Sequence, residues 1–355
     1  MVSVVIPNYN GEKFLKDCLE SLKRQTFEDM EVIMVDNGST DNSVGTAKKL
    51  YPEIRVVELG GNTGFAFAVN RGIEAAEGEY VLLLNNDTIV FPNFVKNQYK
   101  MIKGKPDVFS CSALMIQNGN HELVDDAGDE LAALGWGFAP DRDKPVSDCM
   151  VPHEVFSACA GAAIYRKKVL DEIGMFDESF FAYLEDMDVG YRARLAGYRN
   201  LYNPYAKVYH LGSASSGSRH NAFKVELSAR NSMWMFRKNM PVWQLVLNIP
   251  FITAGIIIKT VYFTKKGLVK ADDGNGGNNN QGNNNQGNNN KGDNVNKPGT
   301  PNNTNVAGKN NTTNKGTVKT GDTAPFMAMI VTILAAAGVI FGTVAQKTRR
   351  RRNRK

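Results

Sequence analysis

Three short polar segments carry the residues best suited to chemistry in this 355-residue chain: Pro7-Asn8-Tyr9, Asp36-Asn37 and Asn85-Asn86-Asp87. The third is the most informative, because the aliphatic run Val81-Leu82-Leu83-Leu84 breaks off at it abruptly. Such a run reads as a strand buried on both faces. An acid just past the carboxyl end of a parallel strand lies where open α/β sheets bind ligands. Carboxylate and amide oxygens placed there can hold a hard divalent cation that also grips a diphosphate. The same three residues suit an Asx-turn that merely closes the strand, since Asn and Asp hydrogen-bond to nearby backbone. On this window alone both readings stand.

The elements around these segments share one pattern. A strand over 2–6 stops at Pro7-Asn8, and residues 12–25 place Phe14, Leu15, Cys18, Leu19 and Leu22 at helical spacing. A strand over 31–35 ends at Asp36, followed by a helix over 42–50 and a strand over 55–59. A Gly-rich turn at 60–64, a helix over 65–76 and the strand before Asn85 complete the series. Strands alternating with helices predict parallel βαβ units with right-handed crossovers. Parallel strands bring their carboxyl ends to one sheet edge, so the three polar segments should converge. The turn at 60–64 lacks both G-x-G-x-x-G and the P-loop pattern. Its Gly64, with Ala66, suits close packing beside a bound nucleotide.

Other candidates are ambiguous by themselves. Asp177, Glu178, Glu185, Asp186 and Asp188, beside Arg192 and Arg194, read alone as a solvated acidic face. His210, between Tyr209 and Leu211, reads alone as a satisfied core histidine. Residues 121–145, rich in Asp and Gly with Trp136 among them, lack periodicity and read as loops, the segments that carry specificity. Cys18, Cys111, Cys149 and Cys159 show no metal-type spacing and are expected to be buried free thiols.

Composition changes after residue 240. Residues 243–263 are apolar but interrupted by Asn248, Pro250 and Lys259, so they can cross a bilayer or lie in its interface. Residues 271–322 are nearly free of large apolar side chains and contain the repeat NNNQG-NNNQG-NNNKG, the composition of a disordered linker. Residues 326–345 carry no charge and, at ~1.5 Å per residue, reach ~30 Å, enough to span a bilayer. Seven basic residues follow from Lys347 onward. They exceed the formal net charge of +6 and leave the remainder at −1 (+6 minus +7). The basicity is thus a membrane-topology signal and excludes a nucleic-acid footprint. The N-terminus shows no signal peptide, which points to a folded region that faces the cytoplasm at the cell membrane. Two crossings would keep both this region and the Arg cluster inside.

Taken in order, VSVVIPNYNG (2–11), VIMVDNGSTDNS (32–43), GNTGFAFAVNRGI (61–73) and YVLLLNND (80–87) resemble the nucleotide-binding half of family 2 glycosyltransferases. GAAIYRKKVLDEIGMFDESFFAYLEDMDVGYRARLAGY (161–198) and VYH (208–210) extend the likeness, which is strongest to the rhamnosyltransferase-like branch. The resemblance covers residues 1–240. It implies an α/β GT-A fold, a Rossmann-like nucleotide-sugar-binding half fused to an acceptor-binding half. It implies that Asp36 contacts the donor nucleoside and that Pro7, Asn8, Tyr9, Asn37, Gly64, Asn85 and Asn86 line its pocket. Asp87 matches the last acid of the D-x-D motif, a ligand for Mn²⁺ or Mg²⁺, with Asn85 in place of the usual first Asp. Glu185 and Asp186 match an acidic pair whose second member is the general base, and His210 matches a residue that completes the metal site.

The implied function is inverting transfer of a sugar, such as rhamnose, from a dTDP- or UDP-linked donor to a cell-envelope or lipid-linked glycan. The C-terminal VKTGD (318–322), with the apolar span and basic end that follow it (323–355), resembles a Gram-positive wall-sorting signal, though Thr317-Val318 stand where Leu-Pro is usual. That tail suggests a competing reading, a wall-displayed carbohydrate-binding protein without catalysis.

Overall fold

The computed structural model describes residues 1–212 and 221–268, and the linker at 271–322 and the membrane span, sorting-like and basic segments at 318–355 lie outside them. The N-terminal series is β1 (Val2–Asn8), α1 (Glu12–Lys23), β2 (Met30–Asp36), α2 (Ser43–Leu50), β3 (Arg55–Glu58), α3 (Phe65–Ala75) and β4 (Tyr80–Leu84). The four strands are parallel in the order β3-β2-β1-β4. Period-two alternation explains why both faces are apolar. Val2, Val4 and Ile6 of β1 and Leu82 and Leu84 of β4 pack with Leu15, Leu19 and Leu22 of α1. Val5, Val81 and Leu83 pack on the other face with Val69 and Ile73 of α3. The result is three layers, helix on sheet on helix.

The second half of the sheet is mixed. β5 (Thr88–Val90), α4 (Phe94–Ile102), β6 (Val108–Gln117), β7 (Val124–Asp126), β8 (Glu130–Ala132), β9 (Trp136–Phe138) and β10 (His153–Val155) lead to β11 (Ala162–Arg166). Then come α5 (Lys167–Ile173), α6 (Glu185–Leu195), β12 (Arg199–His210), α7 (Ala222–Asn239) and α8 (Val242–Lys265). β11 enters antiparallel between β4 and β6, and β12 lies parallel to β6 on its outer side. β5 and β7, three residues each, pair with β12 and β6. β8 and β9 form a separate hairpin.

α8 belongs to the same unit, Met1–Val269, as the sheet. It runs unbroken through Pro250 and, among the described residues, is the one helix long and apolar enough to cross a membrane. Cys18, Cys111 and Cys149 are buried free thiols and Cys159 is a half-buried one.

Candidate functional site

The carboxyl ends of β1, β2 and β4 converge through a chain of side-chain hydrogen bonds. Asn86 donates to Asn8 Oδ1 (2.7 Å), and Asn8 Nδ2 donates to Asp36 Oδ1 (3.2 Å). Asp36 Oδ2 accepts from the Ser39 amide (3.0 Å), so both of its oxygens are engaged. All three side chains are 5% exposed or less, which a polar chain tolerates only when its groups satisfy one another. Gly11 allows the approach: a Cβ there would stand 2.1 Å from Asn86 Nδ2. Pro7 lies inside β1 and Tyr9 is exposed at the strand's end. Asn85 closes β4, its amide donating to the Gly161 carbonyl (2.9 Å).

Asn37 and Gly64 serve the neighbouring turn. Asn37 Oδ1 accepts from the Thr63 amide and hydroxyl (both 2.8 Å), and its Nδ2 donates to the Gly64 carbonyl (3.1 Å). Gly64, at φ +90°, packs against Phe181, whose carbonyl would lie 2.7 Å from a Cβ. That carbonyl accepts from the Phe65 and Ala66 amides, which α3 would otherwise leave unpaired.

Asp87 and His210 meet because β5 pairs with β12 in the register Thr88↔His210, and the Leu211 amide donates to the Asp87 carbonyl (3.0 Å). His210 Nε2 lies 3.4 Å from Asp87 Oδ1, and Nδ1 lies 2.6 Å from Asp125 Oδ2. Burial disfavours the charged ring, but the hydrogen bonds and charges of Asp125 and Asp87 outweigh it and lift the pKa to about 9. Once the ring gives up its proton, the Asp87 carboxylate and His210 Nε2 could face one divalent cation, with Asp125 behind the ring. Asp125 would fix the tautomer that presents Nε2. Nothing in the unpatterned stretch 121–145 singles out Asp125; only the registers of β6, β7 and β12 bring it to His210.

Glu185 and Asp186 open α6 and point inward, whereas their acidic neighbours are structural. Asp188, fully buried, receives Arg192 (2.9 Å), Lys238 (2.9 Å) and Asn239 (2.7 Å). Asp177 pairs with Lys238, and Glu178 with Arg71. Asp186, half-buried, accepts from the Ala160 amide (3.0 Å) and from its neighbour Met187 (2.8 Å). Burial raises its pKa, and these amides oppose the rise. Glu185 Oε2 is buried without a hydrogen-bond partner, and burial, then the charge of Asp186, holds its pKa well above the usual carboxylate range.

The segment leading into this pair is bent through three left-handed residues, Phe181 (φ 63°), Tyr183 (φ 69°) and Leu184 (φ 68°). Such conformations cost about 1–3 kcal/mol each and persist only when their surroundings impose them. Asn231 of α7 does so, donating to the carbonyls of Phe180, Ala182 and Tyr183 at 2.7–3.0 Å.

A second acidic group, absent from the sequence-based candidates, adjoins both sets. Ligand atoms of Asp126, Asp129 and Cys159 lie within 4.8 Å of one another. Burial pushes Asp126 up to about 6, against the Gly128 amide and Arg142, with Asp125 and Asp186 adding to it. Asp129 is raised well above its ordinary value by burial and by the charges of Asp126 and Asp186. Arg142 approaches Asp125 (3.6 Å) and Asp126 (3.9 Å).

Known proteins resemble parts of this chain. The profile of Glycosyl transferase family 2 matches residues 3–174. The glycosyltransferase GlyG of Streptococcus pneumoniae is 37% identical over 108 residues, 30% of this chain and only 36% of that protein. An N-acetylglucosaminyl-diphospho-decaprenol L-rhamnosyltransferase of Mycobacterium tuberculosis is 27% identical over 265 residues, 66% of this chain and 86% of that one. Among solved structures, GalNAc-T7 with UDP, GalNAc and Mn²⁺ has a TM-score of 0.54 at 17% identity, covering 67% of this chain and 47% of that one; it shares the fold. Residues 3–174 are thus similar to family 2 glycosyltransferases, and the described residues build a GT-A-like α/β fold with a mixed sheet.

Proposed function

We propose that the protein is an inverting, metal-dependent glycosyltransferase that moves a sugar from a dTDP- or UDP-linked donor to a cell-envelope or lipid-linked glycan. The observation that carries this reading is the seating of Asp87 against His210, itself held by Asp125, on the sheet edge where Asn8, Asp36 and Asn86 interlock. Asp36 and Ser39 shape the nucleoside end of the donor pocket, with Pro7, Asn8 and Tyr9 beside it. Asn37 and Gly64, through the turn they hold, and Asn85 and Asn86 at the end of β4 frame the diphosphate side. Asp87 and His210 would hold Mn²⁺ or Mg²⁺, which when bound neutralises the charge gathering on the departing diphosphate.

Asp186 accepts the proton of the acceptor hydroxyl as that oxygen attacks the anomeric carbon, and its raised pKa suits a base that must take a proton. Burial and the charge of Asp186 favour the protonated form of Glu185 beside it. The Mycobacterium relative acts on a decaprenol-linked sugar, which supports a lipid-linked acceptor and rhamnose as the transferred sugar. The apolar α8 supports action at a membrane.

The test is a panel of dTDP-, UDP- and GDP-sugars offered to the full chain with Mn²⁺ or with EDTA. Release of nucleoside diphosphate is expected from dTDP- or UDP-sugars with Mn²⁺ and not with EDTA. Equal release in EDTA would remove the metal from the mechanism.

A further inference from the structure

α8 has two opposite faces. Leu245, Ile252 and Gly255 are buried on the domain. Trp243, Leu247, Phe251, Ile258 and Tyr262 are all at least 46% exposed and recur at steps of four and seven, forming one continuous apolar stripe on the other side. Soluble monomers rarely leave so long an apolar strip in water. The charge around it is largely one-sided: residues 228–269 contain six Lys or Arg and no Asp or Glu, and Lys238 among them is paired with Asp177 and Asp188. Lys265 and Lys266 are exposed at the end of the helix, and Arg237 stands over the exposed Trp234 ring (5.2 Å).

Length and composition would let α8 cross a bilayer, but its packing would not. A crossing helix gives its central ~20 residues to hydrocarbon and protein that is itself in the membrane. Here the centre of the helix is seated on the β8–β9 hairpin. A Cβ on Gly255 would lie 2.0 Å from the Leu134 carbonyl and 2.8 Å from the Trp136 ring, while Ile252 abuts Gly135. Lys259 lies over the same Trp136 ring (4.7 Å). The hairpin's other side touches α6, where a Cβ on Gly137 would meet Met187.

We propose that α8 lies flat in the headgroup layer of an anionic lipid bilayer. Its Trp243–Tyr262 stripe sinks ~5–10 Å into the interface, and its basic residues meet lipid phosphates. The β8–β9 hairpin then sits directly above the membrane, with Glu185-Asp186 on its far side. An acceptor carried on a lipid would reach the acidic pair without leaving the surface. That last point rests on the transfer reading, whereas the docking itself does not.

Topology tests it without any turnover. Val242→Cys and Lys266→Cys would be placed singly in the full chain, bound to the outside of sealed phosphatidylcholine–phosphatidylglycerol vesicles. The parent chain gives the background of its native cysteines. A membrane-impermeant maleimide should label both ends from outside, whereas a crossing helix protects one end until the vesicles are opened. In parallel, bimane on Leu247→Cys and on Ile258→Cys should shift to the blue only with vesicles. A shallow lipid-attached quencher should quench both, and a deep one neither. Protection of one end, or a vesicle-independent shift accompanied by a doubled mass from a second copy covering the stripe, would overturn the proposal. Loss of transferase activity with both ends still labelled would count against the transfer reading and leave the docking intact.

Discussion

Asp87 shows how one residue serves two demands that the sequence presents as alternatives. Its backbone belongs to the turn between β4 and β5 and ties to Leu211, while its carboxylate faces His210. A strand-end acid is therefore legible in sequence, because an aliphatic run announces where the sheet edge falls. Asp125 is not, since it reaches His210 only through β7, which pairs with β6 beside β12 and is too short to show periodicity. The crowding of Asp126, Asp129, Glu185 and Asp186 has an energetic consequence. Asp129 has its pKa raised in the fold, so the folded state holds its proton where the unfolded chain has lost it. The stabilising contribution is full below the unfolded pKa and is lost as pH rises through the folded one. Asp129→Asn should therefore raise the thermal midpoint at pH 7.5 and raise it less at pH 5, as read by calorimetry. A lower midpoint at pH 7.5 would show that Asp129 is stabilised there as a carboxylate.

At the scale of elements, the acidic run 177–188 separates into two roles that its composition hides. Asp177, Glu178 and Asp188 bind α6 and its approach to α3 and α7, and Asp188 is fully buried where a solvated face is expected. Glu185 and Asp186 differ because the left-handed bend at Phe181, Tyr183 and Leu184 turns the start of α6 inward. No periodicity signals that bend; it is imposed by Asn231 of α7 and by the α3 amides that take the Phe181 carbonyl. Gly64 is the hinge of this contact, joining the turn of the donor half to the loop before the acidic pair. Gly64→Ala places a methyl against the Phe181 carbonyl at a positive φ. It should lower stability by about 1–3 kcal/mol in urea unfolding, whereas an unchanged midpoint would show that the contact yields without strain.

Across the whole molecule, the donor half is the part that alternation reveals, since each of its strands is parallel and follows its helix in order. The second half is less legible because β11 is inserted antiparallel between β4 and β6, and β12 returns from far along the chain. Its site residues gain meaning only once those strands are paired. The central claim is that this sheet edge releases a nucleoside diphosphate while Asp186 takes the acceptor's proton. Asp186→Asn preserves size and can still accept from the Ala160 amide through its carbonyl, but it cannot act as a base. The most direct measurement is nucleoside-diphosphate release by the parent chain and by this variant across pH, with thermal midpoints recorded alongside. In the parent, release should rise with pH through a pKa above the ordinary carboxylate value, because Asp186 must first lose its proton. The variant should lose ~10²–10⁴-fold in rate at an unchanged midpoint; full turnover in Asp186→Asn would contradict the account.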